Sequence, residues 1–468
     1  MSNKTDLCFM SIAQLTNLFA KKAVSPVEVC TAVLARIEAE NPTYNAICFV
    51  DHEGALDSAR ASEARWRRDI PLGPLDGIPT TIKDLVLTKG WPTLRGSRTV
   101  DPKGPWDEDA PSVDKLRAAG AVLVGKTTTP EFGSKGVTDN ILTGITRNAW
   151  NPDRTSGGSS GGAAVAAARG FGVLHLGSDG AGSVRIPAAF NGIFGLKPTF
   201  GRVPAYPLSP MGTVSHLGPM TRTVADAAHM LNVMVKPDDR DWYALPPQNI
   251  DYHEELDTPL SGLRIAYSKD LGYAEVDPKV AEVCAAAARR FEELGAQVDD
   301  IEGPLTEDPV WITDVLWFNA ITKITENMSA QTIKSMDTLQ QAMLEHAQSV
   351  SVKDLRDANS ARETMALRLT QVHRNYDLLL SPAMPRTAFA AGQFNPWGSE
   401  KPQDWIRWSS FTYPFNLSQQ PAATCPCGFD DDGLPIGLQI VGRKYDDHLV
   451  LRAAKAFEDI AKISTVVP

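Results

Sequence analysis

The chain has 468 residues, 43% of them apolar and 22% charged, and carries a formal net charge of −10. That apolar share supports an ample globular core, and the acidic balance argues against a nucleic-acid surface, which needs clustered Lys and Arg. Six cysteines (Cys8, Cys30, Cys48, Cys284, Cys425, Cys427) are too sparse for a disulfide framework, and Cys425-Pro-Cys427 lacks zinc or redox spacing. No uninterrupted apolar run of about 18 residues occurs, so no membrane-spanning helix is expected. Met1 to Met10 lacks a basic region followed by an apolar run, so no signal peptide is expected, and the cytoplasm is the expected compartment.

Ser11 to Ala20 reads as a short amphipathic helix. Ser25-Pro26 starts a second, with a hydroxyl N-cap before a proline at the first helical position. Val27, Val33, Leu34 and Ile37 carry it to about Glu40, before Asn41-Pro42. Asn45 to Val50 reads as a strand and Ala55 to Trp66 as a helix. In Ile78 to Lys83, Ile78, Thr80 and Ile82 share one strand face and Thr81 and Lys83 the other. Ser112 to Ala119, then Gly120, then Ala121 to Val124 reads as helix, cap and strand, with Ser112 as the expected N-cap. Gly161 to Arg169 is a helix of small residues, suited to packing tightly beneath a site. Val173 to Gly177 is a strand. Lys236 to Gly262 is polar and proline-rich, and reads as a long surface connection. Val280 to Leu294, Gly295 and Ala296 to Val298 repeat the helix, cap and strand pattern. Strand-like Leu378 to Leu380 and Ile436 to Val441 precede a closing helix from about Asp446 to Ile460. Helices alternating with short apolar strands argue for an α/β layer fold.

Two glycine-rich loops each carry a serine: Ser159 in Thr155 to Gly162, and Ser183 in Gly177 to Arg185. Flanking glycines expose a hydroxyl and leave backbone N–H groups free for a ligand. Each loop also reads as a plain turn. Lys83 reads either as a solvated lysine closing a strand or as a desolvated neutral base. Ser159 and Ser160 fit G-x-S-x-G, but the turn-like Asn148 to Arg154 stands where a nucleophile elbow needs a strand. Ser112-Val-Asp-Lys115 fits S-x-x-K. His175, His216, His229 and His448 are candidate bases, but none has H-E-x-x-H spacing, so no catalytic metal is expected. Neither a Walker A nor a Rossmann glycine pattern occurs, and no cofactor is expected.

These stretches resemble the amidase signature family. The similarity runs through Asp76 to Asp84, Ala121 to Thr127, Arg147 to Pro152, Ser156 to Gly162, Gly177 to Pro187, Gly192 to Pro198, Gly218 to Thr223 and Gly433 to Gly442, in order and across nearly the whole chain. The resemblance implies a single α/β domain over residues 1–468, a large mixed sheet covered by helices on both faces. The core signature would lie at about 76–223 and a variable substrate-pocket region at about 300–415. It also implies a Ser-cisSer-Lys triad: Ser183 as nucleophile, Ser159 as bridging serine after a cis Gly158–Ser159 peptide, and Lys83 as base. Gly180, Ala181, Gly182 and Ser183 would offer oxyanion N–H donors, and Ser160, Ser178, Asp179 and Arg185 would support the loops. The family's nucleophile loop usually reads G-T-D-x-G-G-S. Here Ser178 replaces threonine and Ala181 replaces glycine, and a positive φ at that position would strain alanine.

The expected reaction is hydrolysis of a carbon–nitrogen bond, in an amide, anilide or carbamate, through an acyl-enzyme on Ser183, with water as the second reactant. The runner-up is the glutaminase component of a tRNA-dependent amidotransferase. Such relatives carry an acid just before an F-T-x-P stretch, where this chain has Ser409, and a counterpart of their carboxylate-binding arginine is not evident. An inactive amidase-like scaffold is a third reading, against which the retained Lys83, Ser159 and Ser183 speak. Aromatic residues gather at 311–318 and 394–411: Trp311, Trp317, Phe318, Phe394, Trp397, Trp405, Trp408 and Phe411. They read either as core filler or as the wall of an apolar pocket. Gly133, Ser134, Trp317, Trp408 and Phe411 are the pocket candidates. The expected partner is a small amide, not nucleic acid or membrane, and a homodimer is allowed.

Overall fold

The computed structural model describes residues 6–467. Its helices begin where capping chemistry directs. Ser11 and Ser25 each close a capping box, with Gln14 and Glu28 respectively, and Pro26 opens its helix at the first position. That helix runs on to Tyr44, past the expected end near Glu40, with Pro42 inside it. The Asn41 side chain ties off the end: its Oδ1 accepts from the N–H groups of Ala46 and Ile47 at 2.8 and 2.9 Å. Asn45, in left-handed conformation, donates its N–H to the Asn41 carbonyl at 2.7 Å.

The helix expected to be capped by Ser112 starts one residue earlier. Ala110 is its N-cap and Pro111 takes the first position, which pushes Ser112 into the first turn. There the Ser112 hydroxyl is buried without a protein partner among the described residues. The connection 236–262 is also not purely superficial. Tyr252, Leu256 and Leu260 are buried, and the short 3-10 turn Glu254–Asp257 packs on the closing helix Asp447–Ala461.

Among the described residues thirteen strands form: β1 (Ile47–Val50), β2 (Pro79–Lys83), β3 (Val122–Thr127), β4 (Asp139–Asn140), β5 (Gly144–Ile145), β6 (Leu174–Asp179), β7 (Phe194–Lys197), β8 (His216–Thr221), β9 (Arg264–Tyr267), β10 (Gln297–Asp300), β11 (Leu378–Pro382), β12 (Ala422–Phe429) and β13 (Pro435–Gly442). Eleven make one sheet in the order β1-β3-β2-β6-β8-β7-β12-β13-β11-β9-β10, and β4 pairs with β5. Pairing is parallel among β3, β2 and β6 and among β11, β9 and β10, and antiparallel between these groups.

Period-two alternation sorts the strands' side chains between two faces. Leu378 and Leu380 join the core containing helices Val224–Met234 and Asp447–Ala461, while Leu379 joins a core on the opposite face with Ala358, Met365 and Phe415. The fold is therefore a mixed α/β layer structure with helices on both faces. The small-residue helix Gly161–Arg169 lies against β2, β6 and β8, with every residue from Gly161 to Ala168 buried. A Cβ on Gly162 would stand 2.4 Å from Thr128 Oγ1 and 2.5 Å from the Ala46 carbonyl oxygen, so only glycine allows that approach. No helix among the described residues is long and apolar enough to cross a membrane.

Candidate active site

Lys83 ends β2, a central strand buried at every position and flanked by parallel partners. The strand's alternation sends Ile82 into one core and Lys83 to the other face. Lys83 is fully buried, so the solvated reading fails. Its Nζ lies 2.7 Å from Ser159 Oγ, 2.8 Å from Ser160 Oγ and 2.9 Å from Ser178 Oγ. Burial holds the Lys83 pKa well below the ordinary lysine range, against a smaller upward pull from Asp179.

Ser159 and Ser160 sit just before helix Gly161–Arg169, and the Gly158–Ser159 peptide is cis. A Cβ on Gly158 would stand 2.5 Å from the Val137 backbone, so the loop needs glycine there. Ser160 has a structural place. Its hydroxyl donates to the Ser178 carbonyl at 3.0 Å, and its N–H donates to the Ser183 carbonyl at 3.1 Å, joining the two serine loops.

Ser183 follows β6 and precedes helix Arg185–Asn191. The loop between is held by a buried ion pair. Asp179 accepts from the N–H groups of Gly182 and Val184 at 2.8 and 3.2 Å, and from Arg185 Nε and NH2, both at 3.0 Å. Burial raises the Asp179 carboxyl, but Arg185 outweighs it and holds the group well below the usual carboxylate range. Arg185 donates further to the Thr412 carbonyl, Gln439 Oε1 and Asn416 Oδ1 at 2.9, 2.8 and 2.6 Å. A buried pair is favourable only when its remaining hydrogen-bonding groups are satisfied, as here.

These bonds correct the expected donor set. The Gly182 N–H is committed to Asp179 and is not free for an oxyanion. The N–H groups of Gly180, Ala181 and Ser183 have no protein acceptor among the described residues. Ala181 is not among the residues with positive φ, so the strain considered for alanine there is absent, and Thr412 Oγ1 donates to its carbonyl at 2.7 Å.

Ser159, Ser178, Gly180 and Ser183 open onto a cavity of about 610 Å³. Its wall is mostly apolar and includes Leu85, Phe132, Leu208, Met211, Trp317 and Met328. Of the pocket candidates, Gly133 and Trp317 line it. The Trp317 ring lies against Gly180, where a Cβ would be 2.9 Å away. Ser134, Trp408 and Phe411 do not line it. Ser134 is buried and its carbonyl accepts from Trp317 Nε1 at 2.9 Å. Trp408 is buried in a stack on Phe190, with centroids 6.0 Å apart. Phe411 is fully buried in the opposite-face core with Leu379 and Phe415. Ser409 is buried, its Oγ 3.3 Å from Thr412 Oγ1, which donates to the Ala181 carbonyl.

Among the described residues none of the four candidate histidines hydrogen-bonds to a site serine, although His216 Nδ1 also lies 3.2 Å from the Asp179 carbonyl oxygen. His175 pairs with Thr81 Oγ1 at 2.7 Å, His216 with the Val214 carbonyl at 2.8 Å, and His229 stacks on His253. His448 lies at the start of the closing helix, its Nδ1 buried without a partner among the described residues. The cavity wall from 205 to 217 and from 323 to 328, and Arg95, are not indicated by the sequence, because neither stretch carries a motif or clear periodicity.

The Amidase family model matches residues 28–451. An acylamidase of Rhodococcus erythropolis is 38% identical over 97% of this chain and 96% of its own length. A glutamyl-tRNA(Gln) amidotransferase chain of Chloroflexus aurantiacus is 34% identical over 99% of each chain. The crystal structure of a bacterial aryl acylamidase of the amidase signature enzymes is similar with a TM-score of 0.90, at 31% identity and 97% coverage of each chain.

Proposed function

Because this chain belongs to the amidase family of hydrolases, which act on amide carbon–nitrogen bonds, we propose that it cleaves small apolar or aryl amides through an acyl-enzyme on Ser183. The observation that carries this reading is a fully buried lysine held by three serine hydroxyls at the floor of an apolar cavity that also exposes Ser183.

A neutral lysine offers two N–H bonds and one lone pair. The Ser160 hydroxyl proton is already given to the Ser178 carbonyl, so Ser160 accepts from Lys83. The Ser178 hydroxyl takes the second N–H. The lone pair then faces Ser159 at 2.7 Å. In this arrangement Ser159 gives its proton to Lys83 and takes one from Ser183 as Ser183 attacks the amide carbonyl. Among the described residues no hydrogen bond joins Ser159 to the Ser183 hydroxyl, and catalytic bonds commonly tighten only with substrate bound. The N–H groups of Gly180, Ala181 and Ser183 receive the developing oxyanion, worth about 3 kcal/mol for each donor that aligns. The proton on Lys83 returns through Ser159 to the leaving nitrogen, and water then releases the acyl group.

Similarity to the Rhodococcus acylamidase and the bacterial aryl acylamidase supports an apolar acyl or aryl substrate. The amidotransferase relative supports the glutaminase alternative, but a zwitterionic amino acid would find no Asp or Glu on the cavity wall to meet its ammonium group. Intact-mass analysis after a fluorophosphonate should show one adduct, on Ser183, and an anilide should be turned over with far higher kcat/KM than glutamine. An adduct on Ser160 or a cysteine would remove Ser183 from its role. Efficient glutamine hydrolysis, or ammonia transfer to an added partner protein, would favour the alternative.

A further inference from the structure

The cavity contains a cation with no protein partner. Arg95 lines it, and among the described residues its guanidinium makes no hydrogen bond and no ion pair. The loop that carries it is fixed by its backbone. Asp84 accepts the N–H groups of Leu94 and Gly96, both at 3.1 Å, and the Arg95 carbonyl accepts from the Phe132 N–H at 2.8 Å. The φ of Arg95 is +57°, a left-handed value uncommon for a long side chain. No Asp or Glu is among the residues lining the cavity. The other charged residue on the wall, Lys323, is largely exposed and already paired with Glu326 at 2.5 Å. The same cavity wall includes the apolar side chains Leu85, Val86, Val100 and Phe132.

A guanidinium stays protonated in a protein and presents its donors as a planar fork. Left half-buried among apolar groups without an acceptor, it is costly, and a carboxylate is the group that its fork matches in pairs. Asp84, the acid whose charge acts on it, already spends its oxygens on the loop N–H groups.

We propose that Arg95 is a specificity-determining residue that receives a carboxylate carried by the substrate, so that the enzyme's preferred substrates are apolar or aryl amides bearing an acid group remote from the scissile bond. This rests on the reading of the cavity as the amide-binding site. A purely structural role, in which Arg95 only props its loop, would affect acidic and neutral substrates alike.

The test compares matched substrates on the intact enzyme. Succinic acid mono-anilide is set against butyranilide for an acid on the acyl side, and 4-acetamidobenzoate against 4-methylacetanilide for an acid on the amine side. The ratio of kcat/KM, acidic over neutral, is measured in the wild type, Arg95→Met and Arg95→Lys. In at least one pair, Arg95→Met should lower the ratio roughly tenfold or more, chiefly through KM, as loss of a charge-assisted bond requires. Arg95→Lys should retain part of it. Comparing ratios cancels both leaving-group differences and any general loss from an altered loop. Calorimetric binding of 4-phenylbutyrate, which needs no turnover, should weaken by a similar factor in Arg95→Met. Ratios and 4-phenylbutyrate affinity equal in wild type and Arg95→Met would overturn the proposal. Absence of turnover for all four amides, with 4-phenylbutyrate binding that still depends on Arg95, would instead overturn the substrate reading and leave Arg95 as an anion site.

Discussion

The floor of the cavity and its wall are built on opposite terms. On the floor, Lys83, Ser160, Asp179 and Arg185 are buried and bonded to several partners each. The wall is made of Leu208, Met211, Trp317 and Met328, side chains that meet a ligand through surface and shape. A polar network in a low-dielectric interior specifies one arrangement because every unpaired group is expensive. An apolar wall accepts many side chains of similar volume. The floor therefore sets which bond is broken, and the wall sets which molecule brings it.

The sharpest way to break this contrast is at Ser183. Ser183→Ala should abolish nearly all turnover, while the melting temperature stays within a few degrees of wild type, because Ser183 lines the cavity and its Oγ has no hydrogen-bond partner among the described residues. Retained activity, measured with an anilide, would dissolve the distinction between floor and wall.

Lys83 comes next. Lys83→Arg should lose most of the rate, since arginine does not give up its proton at working pH. In the wild type, burial lowers the lysine's pKa, so the neutral base forms above that lowered value and kcat/KM should rise with pH through it. The sign for stability is the same. The unfolded chain keeps this proton up to about pH 10.4, the ordinary lysine pKa, so this group's contribution favours folding increasingly as pH rises from the lowered value to that limit. A kcat/KM that falls as pH rises from acid to neutral values would count against the base.

Asp179→Asn probes how the floor is held. It removes the charge partner of fully buried Arg185, and a broken buried pair costs about 3–5 kcal/mol. Denaturant midpoint and activity should fall together.

The smallest effects on turnover separate wall from core. Trp317→Ala should raise KM for aryl amides, because Trp317 faces the cavity. Trp408→Ala and Phe411→Ala should instead lose about 3–5 kcal/mol of stability, as large buried aromatics do, and leave KM for the remaining folded enzyme close to wild type. A KM change in Trp408→Ala larger than in Trp317→Ala would reverse the placement of these rings.

What the sequence discloses follows the same division. Lys83, Ser159 and Ser183 stand in local patterns, an alternating strand and two glycine loops, whose geometry depends on near neighbours. Asp179 and Arg185 are legible as loop support from their position alone. Trp408 and Phe411 are misplaced by sequence reasoning because the direction of each ring is set by partners distant in the chain, Phe190 and Phe389 for Trp408 and the Leu379 core for Phe411, which no local pattern encodes. The Gly182 N–H looks free in the sequence because its acceptor, Asp179, reveals itself only once the turn has closed. Ser112 looks like a cap because a hydroxyl at a helix start is common, yet Pro111 takes the first helical position and shifts the cap back to Ala110.

The bonds from Arg185 also carry a consequence in time. Its partners Thr412, Asn416 and Gln439 lie 227, 231 and 254 positions further along the chain. A chain emerging from the ribosome from its N-terminal end exposes Lys83, Ser159 and Ser183 long before the residues that clamp the Ser183 loop exist, and contacts so distant in sequence form late. Hydrolytic competence should thus switch on near the end of synthesis. Fluorophosphonate labelling of nascent chains arrested at increasing lengths should stay negative until Gln439 has left the exit tunnel, so that an unfinished molecule cannot attack amides around it.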